Sequence, residues 1–161
     1  MQHMDKTQTT NLPDALMDEA LLLDNQLCFA MYSASLAMTK AYKQILAPLE
    51  ITYPQYLVML VLWERDGITV SELGTRLFLD SGTLTPLLKR MESMGLLHRN
   101  RDAGDERRVV VSLSEAGRAL REKAKAVPQR MSCMLPALDR IKALVVELKQ
   151  VRKGLVDAEN E

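Results

Sequence analysis

The chain has 161 residues, 47% of them hydrophobic and 26% charged, which is long enough for one domain with a true core and too apolar for a disordered chain. Its 21 basic residues balance its 21 acidic ones, so no net field draws it to nucleic acid or membrane, and its longest apolar run, Tyr56 to Trp63, is far shorter than the ~20 residues of a bilayer span. The polar stretch Met1 to Asn11 lacks the features of a signal peptide, and the two cysteines exclude a disulfide scaffold, so a reducing cytoplasm is expected.

Residues 1–12 read as a loose tail. Asp14 to Leu49 reads as helix, ended by Pro48 and the Thr52-Tyr53-Pro54 turn. Within it Asp24 or Asn25 is a candidate N-cap for a segment carrying Leu27, Met31, Ala34 and Met38 at helical spacing. Pro54 suits the first turn of a second helix with Leu57, Leu60, Val61 and Trp63, which Gly67 stops. Thr69 and Glu72 form a capping box that opens a short helix with Val70, Leu73 and Leu77 inward. After a break at Asp80-Ser81-Gly82, the next helix carries Leu84, Leu87, Leu88 and Met91 on one face, and Gly95 closes it. Pro86 leaves two starts open. By propensity the helix begins near Thr85; a start at Ser81 instead costs a backbone hydrogen bond in the second turn.

The period then changes. Leu96 to Arg101, a turn at Asp102 to Asp105, and Arg107 to Leu113 predict a hairpin, with Val109, Val111 and Leu113 alternating. Ser114 caps a long helix to about Val127, which Pro128 interrupts. A last helix from Leu138 carries Ile141, Val145 and Leu148, with Leu144, Val151 and Leu155 beside them. The fold class is mainly α with a small β-hairpin.

Helix, helix, hairpin is the order of a winged helix-turn-helix. The zero net charge hides a basic cluster of Lys89, Arg90, Arg99, Arg101, Arg107 and Arg108. Ser81, Thr83, Thr85, Lys89 and Arg90 lie opposite the apolar face of the second helix, where they suit base edges and phosphates in a major groove. The hairpin tip brings arginines to the place where a wing meets the minor groove. A charged surface is usually just solvated; basic residues on both reading elements, in this order, favour DNA.

A lone helical cysteine is more often packing than chemistry. Cys28 lies about one turn from a helix start, where the dipole favours a thiolate, although Asp24 opposes it. All four tyrosines fall between residues 32 and 56 and can donate hydrogen bonds to a thiolate; core packing is the plainer role for Tyr56 and Tyr32. Cys133 by itself reads as a surface or packing residue. His3 and His98 each stand alone, and His98 reads as an exposed strand residue. No zinc-like spacing and no Ser-His-Asp grouping occurs, so no metal, cofactor or enzymatic activity is expected.

Leu73-Gly74, Leu77, the run Leu79-Asp80-Ser81-Gly82-Thr83-Leu84-Thr85-Pro86-Leu87-Leu88-Lys89-Arg90-Met91, Gly95-Leu96 and Asp105-Glu106-Arg107-Arg108 resemble the MarR family of winged-helix repressors. Asp24 to Ala30 and Ile51 to Leu57 narrow the likeness to its organic hydroperoxide resistance regulators, of the two-cysteine subclass. The likeness runs from about Leu21 to Arg152. It implies a homodimer with intertwined first and last helices, bound to a pseudo-palindromic double-stranded operator, with no membrane partner. The implied organisation is a tail and the start of a dimerisation helix over 1–20, a sensing-cysteine and dimerisation helix over 21–50, a winged helix-turn-helix over 51–113 with its wing at 96–113, and dimerisation helices over 114–161. It implies further that Pro86 lies inside the reading helix, that Arg107 is the minor-groove arginine and that Asp105 supports the wing. Cys28 is then the peroxidatic thiol, hydrogen-bonded by Tyr42 and Tyr53 of the other subunit with Tyr32 as a helper, and Cys133 is the resolving thiol that forms an intersubunit disulfide with it. Organic hydroperoxide is the inducer. The competing readings are a MarR-type repressor released by a reversibly bound small ligand, and a thiol peroxidase.

Overall fold

The computed structural model describes residues 14–159. The predicted tail therefore lies outside the described residues. The chain divides into two compact units, one ending at Lys40 and the other beginning at Ala41.

The first unit holds α1 (Asp14–Ala20), a 3-10 turn (Leu23–Asn25) and most of α2 (Leu27–Leu46). The single helix expected over 14–49 is broken here, and side chains explain the break. Asn25 donates its side-chain amide to the Glu19 carbonyl (2.9 Å), and Gln26 donates its own to the Ala20 carbonyl. The last carbonyls of α1 thus find partners without further helix. Neither Asp24 nor Asn25 caps α2, because both sit in the 3-10 turn. The Ala30 amide bonds the Gln26 carbonyl (3.0 Å), so the first helical hydrogen bond of α2 spans Gln26 to Ala30. Leu21, Leu22, Leu23, Leu27 and Leu36 are exposed within this unit.

The second unit continues with a 3-10 turn at Ala47–Leu49, α3 (Tyr53–Glu64), β1 (Ile68–Thr69), α4 (Val70–Leu77), α5 (Ser81–Ser93), β2 (Leu97–Arg101), β3 (Val109–Leu113), α6 (Glu115–Ala124), α7 (Ala126–Ser132) and α8 (Leu138–Glu159). Two capping boxes begin its helices, Thr52 with Gln55 for α3 and Thr69 with Glu72 for α4. Its core gathers Leu46, Met59 and Leu62, Leu73 from α4, Leu84, Leu88 and Met91 from α5, and Leu97 and Val111 from the strands, all essentially inaccessible to solvent. Each such side chain contributes about 1.5–3 kcal/mol of apolar burial.

The sheet is antiparallel in the order β1-β3-β2. The expected hairpin pairs Leu97 with Leu113 through Arg101 with Val109. Sequence reading missed β1, whose Ile68 and Thr69 pair with Val111 and Val110. Gly67 precedes it at φ +71° and Gly95 turns the chain at φ +74° between α5 and β2, conformations that favour glycine.

Two prolines lie within helical stretches, one against propensity and one in line with it. Helix α5 begins at Ser81 with Pro86 inside it, so the start near Thr85 is excluded. The carbonyl deprived of its partner belongs to Gly82, a solvent-exposed residue, so the lost bond leaves no buried polar group there. The helix after Ser114 breaks at Lys125, before Pro128, because Pro128 has no N–H for the Ala124 carbonyl one turn back. Helix α8 has no buried residue, and Leu138, Leu144, Val145, Val146 and Leu155 are exposed on it. Among the described residues no single helix is long and apolar enough to cross a membrane.

Candidate functional site

The reading helix is organised from its N-cap. Asp80 accepts from the Thr83 amide (2.8 Å) and from the Thr83 hydroxyl (3.0 Å). These bonds hold the Asp80 carboxyl below its ordinary range. Since the Thr83 hydroxyl already donates, it meets any further partner as an acceptor. Ser81, Thr83, Pro86, Lys89 and Arg90 are exposed and Thr85 is half-buried, while Leu84, Leu88 and Met91 turn to the core. Neither Lys89 nor Arg90 pairs with a carboxylate among the described residues.

The wing is held at its base and ordered at its tip. At the base, Glu92 at the end of α5 accepts three hydrogen bonds from Arg99: from the amide (2.9 Å), Nε (3.0 Å) and Nη2 (2.8 Å). Arg99 also holds the Glu92 carboxyl below its usual range. At the tip, Asp102 accepts from the Gly104 amide (2.9 Å), and Asp105 accepts from the Arg107 amide (3.0 Å) and Nε (3.4 Å). The Arg107 side chain remains 93% exposed. Asp105 therefore orients the arginine beside it and leaves most of its guanidinium free. Asp66 makes a third anchor, accepting from the Leu113 amide (2.8 Å) and from Arg118 (3.0 Å).

A groove of about 800 Å³ runs between α4, α5 and the wing. It brings together Ser81, Thr85 and Arg107 from the expected set. Arg99 and Arg108 of the basic cluster line it as well, with Ser71 and Thr75, which sequence reading did not single out. Lys89, Arg90 and Thr83 lie outside the lining. Phe78, also in the groove, stands at φ +56° between α4 and α5, and the Arg152 guanidinium lies 4.1 Å from its ring centre.

The thiols are free and exposed. Cys28 is the second residue of α2, closer to the positive end of the helix than a start at Asp24 would place it. Cys133 caps α7 and donates its thiol to the Gln129 carbonyl (3.4 Å). Tyr42 and Tyr53 are half-buried with ring centres 4.3 Å apart, and Tyr56 is buried 6.1 Å from Tyr42. Burial raises the phenol pKa of both Tyr42 and Tyr53, with the neighbouring tyrosines adding to it at Tyr42. Both hydroxyls therefore stay protonated at neutral pH, and neither has a hydrogen-bond partner among the described residues. The core role expected for Tyr56 holds, whereas Tyr32 is 62% exposed and lies outside the core. His98 is exposed on β2, and no cluster of metal-ligating side chains occurs among the described residues.

A helix-turn-helix joined through a three-stranded sheet to a basic wing defines a winged-helix transcriptional regulator. Residues 40–124 match the family model described as transcriptional regulator SarA/Rot. The chain is 57% identical over 106 residues to the organic hydroperoxide resistance transcriptional regulator of Bacillus subtilis (strain 168), covering 66% of this chain and 72% of that one. It is 50% identical over 139 residues to the HTH-type transcriptional regulator TtmR of Methylorubrum extorquens (strain PA1), covering 86% and 71%. Among solved structures, overoxidised AbfR bound to DNA is similar with a TM-score of 0.73 and 40% identity, over 86% of this chain and 98% of that one. Disulfide-formed AbfR is similar with a TM-score of 0.65 and 36% identity, over 89% and 99%. The chain belongs to the MarR family of winged-helix transcriptional regulators.

Proposed function

We propose that the chain is a redox-sensing repressor that binds a pseudo-palindromic operator as a reduced homodimer and leaves it when an organic hydroperoxide oxidises Cys28. The observation that carries the reading is the pair of exposed thiols, one in the first turn of α2 and one capping α7, in a winged-helix chain 57% identical to a regulator named for organic hydroperoxide resistance. AbfR, whose structures include a reduced DNA-bound form and a disulfide form, supports the same pair of states.

The Cys28 thiolate attacks the distal peroxide oxygen. The O–O bond breaks, the leaving alkoxide takes a proton to become the alcohol, and Cys28 becomes a sulfenic acid. Cys133 of the partner subunit then attacks that sulfur as a thiolate; the S–O bond breaks, the leaving hydroxide takes a proton to become water, and a disulfide forms. Tyr42 and Tyr53 have free hydroxyls suited to donate hydrogen bonds to the reacting sulfur, with Tyr32 as a helper. The exposed apolar residues of α2 and α8 supply the surface for the dimer. A two-fold axis sets the reading helices about 34 Å apart, one turn of DNA. Ser81, Thr83, Thr85, Lys89 and Arg90 meet the major groove there, Pro86 shapes the helix, and Arg107, held by Asp105, enters the minor groove. A disulfide requires Cα atoms within about 7 Å, so its formation fixes one relative position of the elements that carry the two thiols. Each ~1.4 kcal/mol by which that position disfavours the DNA-bound form weakens the operator complex tenfold.

The test is operator binding beside non-reducing electrophoresis, before and after one equivalent of cumene hydroperoxide, on wild type, Cys28→Ser and Cys133→Ser. Wild type should release DNA and migrate as a covalent dimer, Cys133→Ser should form no dimer, and Cys28→Ser should keep its DNA. Peroxide-sensitive binding in Cys28→Ser would refute the reading.

A further inference from the structure

We infer that Arg152 is a positioning residue for DNA reading: laid on Phe78, it ties α8 to the turn from which the reading helix starts. Its guanidinium lies 4.1 Å from the centre of the Phe78 ring. Phe78 is 65% exposed and lines the groove that also holds Ser81 and Arg107. An aromatic ring left open beside a DNA-binding groove serves no core; here it is the platform for a cation from another element.

The turn that carries Phe78 has no slack. The Phe78 and Leu79 amides both donate to the Gly74 carbonyl, the second at 3.0 Å. A Cβ on Gly74 would lie 2.7 Å from the Leu79 carbonyl oxygen, so the backbone there is already at closest approach. Asp80 then caps α5 through Thr83. Held at both ends by hydrogen bonds, the segment passes any displacement of Phe78 on to the first turn of α5.

The pattern of α8 singles out Arg152 as well. Ile141, Val145, Leu148 and Leu155 stand at i, i+4, i+7 and i+14, and the missing member of that apolar row, i+11, is Arg152. A surface arginine is ordinarily on the polar face; this one interrupts the apolar face. It pairs with no carboxylate among the described residues. A guanidinium is flat and weakly hydrated, so an aromatic face satisfies it at a position where an ammonium would be left to water. Helix α8 buries no residue within this chain, and its apolar row is the surface assigned above to the dimer. The Arg152–Phe78 contact therefore sets the aim of the reading helix against the helix that meets the second subunit.

Aim matters for base edges and far less for neutralising phosphates. Losing an exposed cation–π contact weakens each half-site about threefold, and the two-fold dimer loses it twice, about tenfold in all. No thiol takes part, so the inference is tested apart from the peroxide reading, under reducing conditions throughout.

The probe is a duplex that the reduced wild type selects from random-sequence DNA, compared with an unselected duplex, each titrated over a range of salt. Arg152→Ala and Phe78→Leu should each weaken the selected duplex about tenfold, leaving the unselected one and the salt slope unchanged. The double variant should be no weaker than either single one. Phe78→Tyr, which keeps the ring, should bind within about twofold of wild type. Lys149→Ala removes an exposed charge from the same helix away from Phe78 and should bind as wild type does. Wild-type affinity in Arg152→Ala, additive losses in the double variant, or equal weakening by Lys149→Ala would overturn the inference. A salt slope lowered by about one in Arg152→Ala would overturn it too, making Arg152 a phosphate contact.

Discussion

Gly117 marks the closest approach between α6 and the wing, and replacing it with alanine should unfold the protein more easily. A Cβ at this position would lie 2.1 Å from the Leu96 carbonyl oxygen and 3.2 Å from Leu113 Cδ2. The first contact is with backbone, which has no rotamer to change, so the helix must retreat. Retreat strains the hydrogen bond from Trp63 Nε1 to the Gly117 carbonyl (3.0 Å) and the Ser114 cap, in which Ser114 Oγ accepts from the Gly117 amide (3.0 Å) and donates to the Gly95 carbonyl (2.6 Å). Alanine in a helix is ordinarily favoured over glycine by about 0.5–1 kcal/mol. Overpacking of ~1–3 kcal/mol and a weakened hydrogen bond of ~1 kcal/mol exceed that gain. The net expectation is about 2 kcal/mol of destabilisation, a fall in Tm of about 4–8 °C. Gly154→Ala is the control: nothing lies within 4 Å of its added Cβ, and it should stabilise by about 0.5–1 kcal/mol. Urea denaturation at one fixed protein concentration measures both. A Gly117→Ala protein as stable as the wild type, or more so, would refute the steric argument.

Three further outcomes are expected. Arg107→Ala should leave stability within about 0.5 kcal/mol, since the side chain is 93% exposed, yet weaken operator binding and lower its salt slope by about one. Glu92 has a folded pKa below its ordinary value, so the stability it contributes is present above the unfolded value of 4.5 and is lost as pH falls through the folded one. Urea midpoints from pH 7 downward should therefore fall more steeply in wild type than in Glu92→Gln, and parallel curves would count against the Arg99 contact. Tyr53→Phe removes a donor proposed for the thiolate; a hydrogen bond to an ion is worth ~1.5 kcal/mol, so sulfenic acid formation at neutral pH should slow about tenfold. Stopped-flow oxidation of Cys133→Ser carrying that change measures it, and an unchanged rate would remove Tyr53 from the site.

What the sequence revealed and what it concealed separate by distance along the chain. The Thr69–Glu72 box, the Ser114 cap, the turn at Gly95 and the inward row Leu84, Leu88 and Met91 are local, and all were readable. Strand β1 was not, because two residues cannot display an alternation and its partners lie beyond residue 109. Bonds such as Asp66 to Leu113 and Trp63 to Gly117 leave no periodic trace either. The break after Ala20 was concealed for a different reason: no proline or glycine marks it, and two side-chain amides produce it. Pro86 shows propensity overruled, since the buried face of α5 and the Asp80 cap hold a helix that proline alone would delay. For the site, residue types and order indicated which groups to examine. The groove joining Ser71, Thr75 and Arg108 to the reading helix needed the wing folded back across α4.

The register of the three-stranded sheet has a consequence for how this protein can diverge. Thr69 both pairs with Val110 and caps α4, so the inner wing strand and the first helix of the reading motif share one residue. Insertions or deletions near that shared residue would re-aim both elements together. Among the described residues the hydrogen bonds of the tip between Asp102 and Arg108 stay within the tip, through Asp102, Asp105 and their neighbours. Length variation is therefore cheap at the tip, where it changes how far the arm reaches, and costly at the base. Relatives that recognise different sites are expected to differ in tip length while keeping Ile68, Thr69, Val110 and Val111 in step.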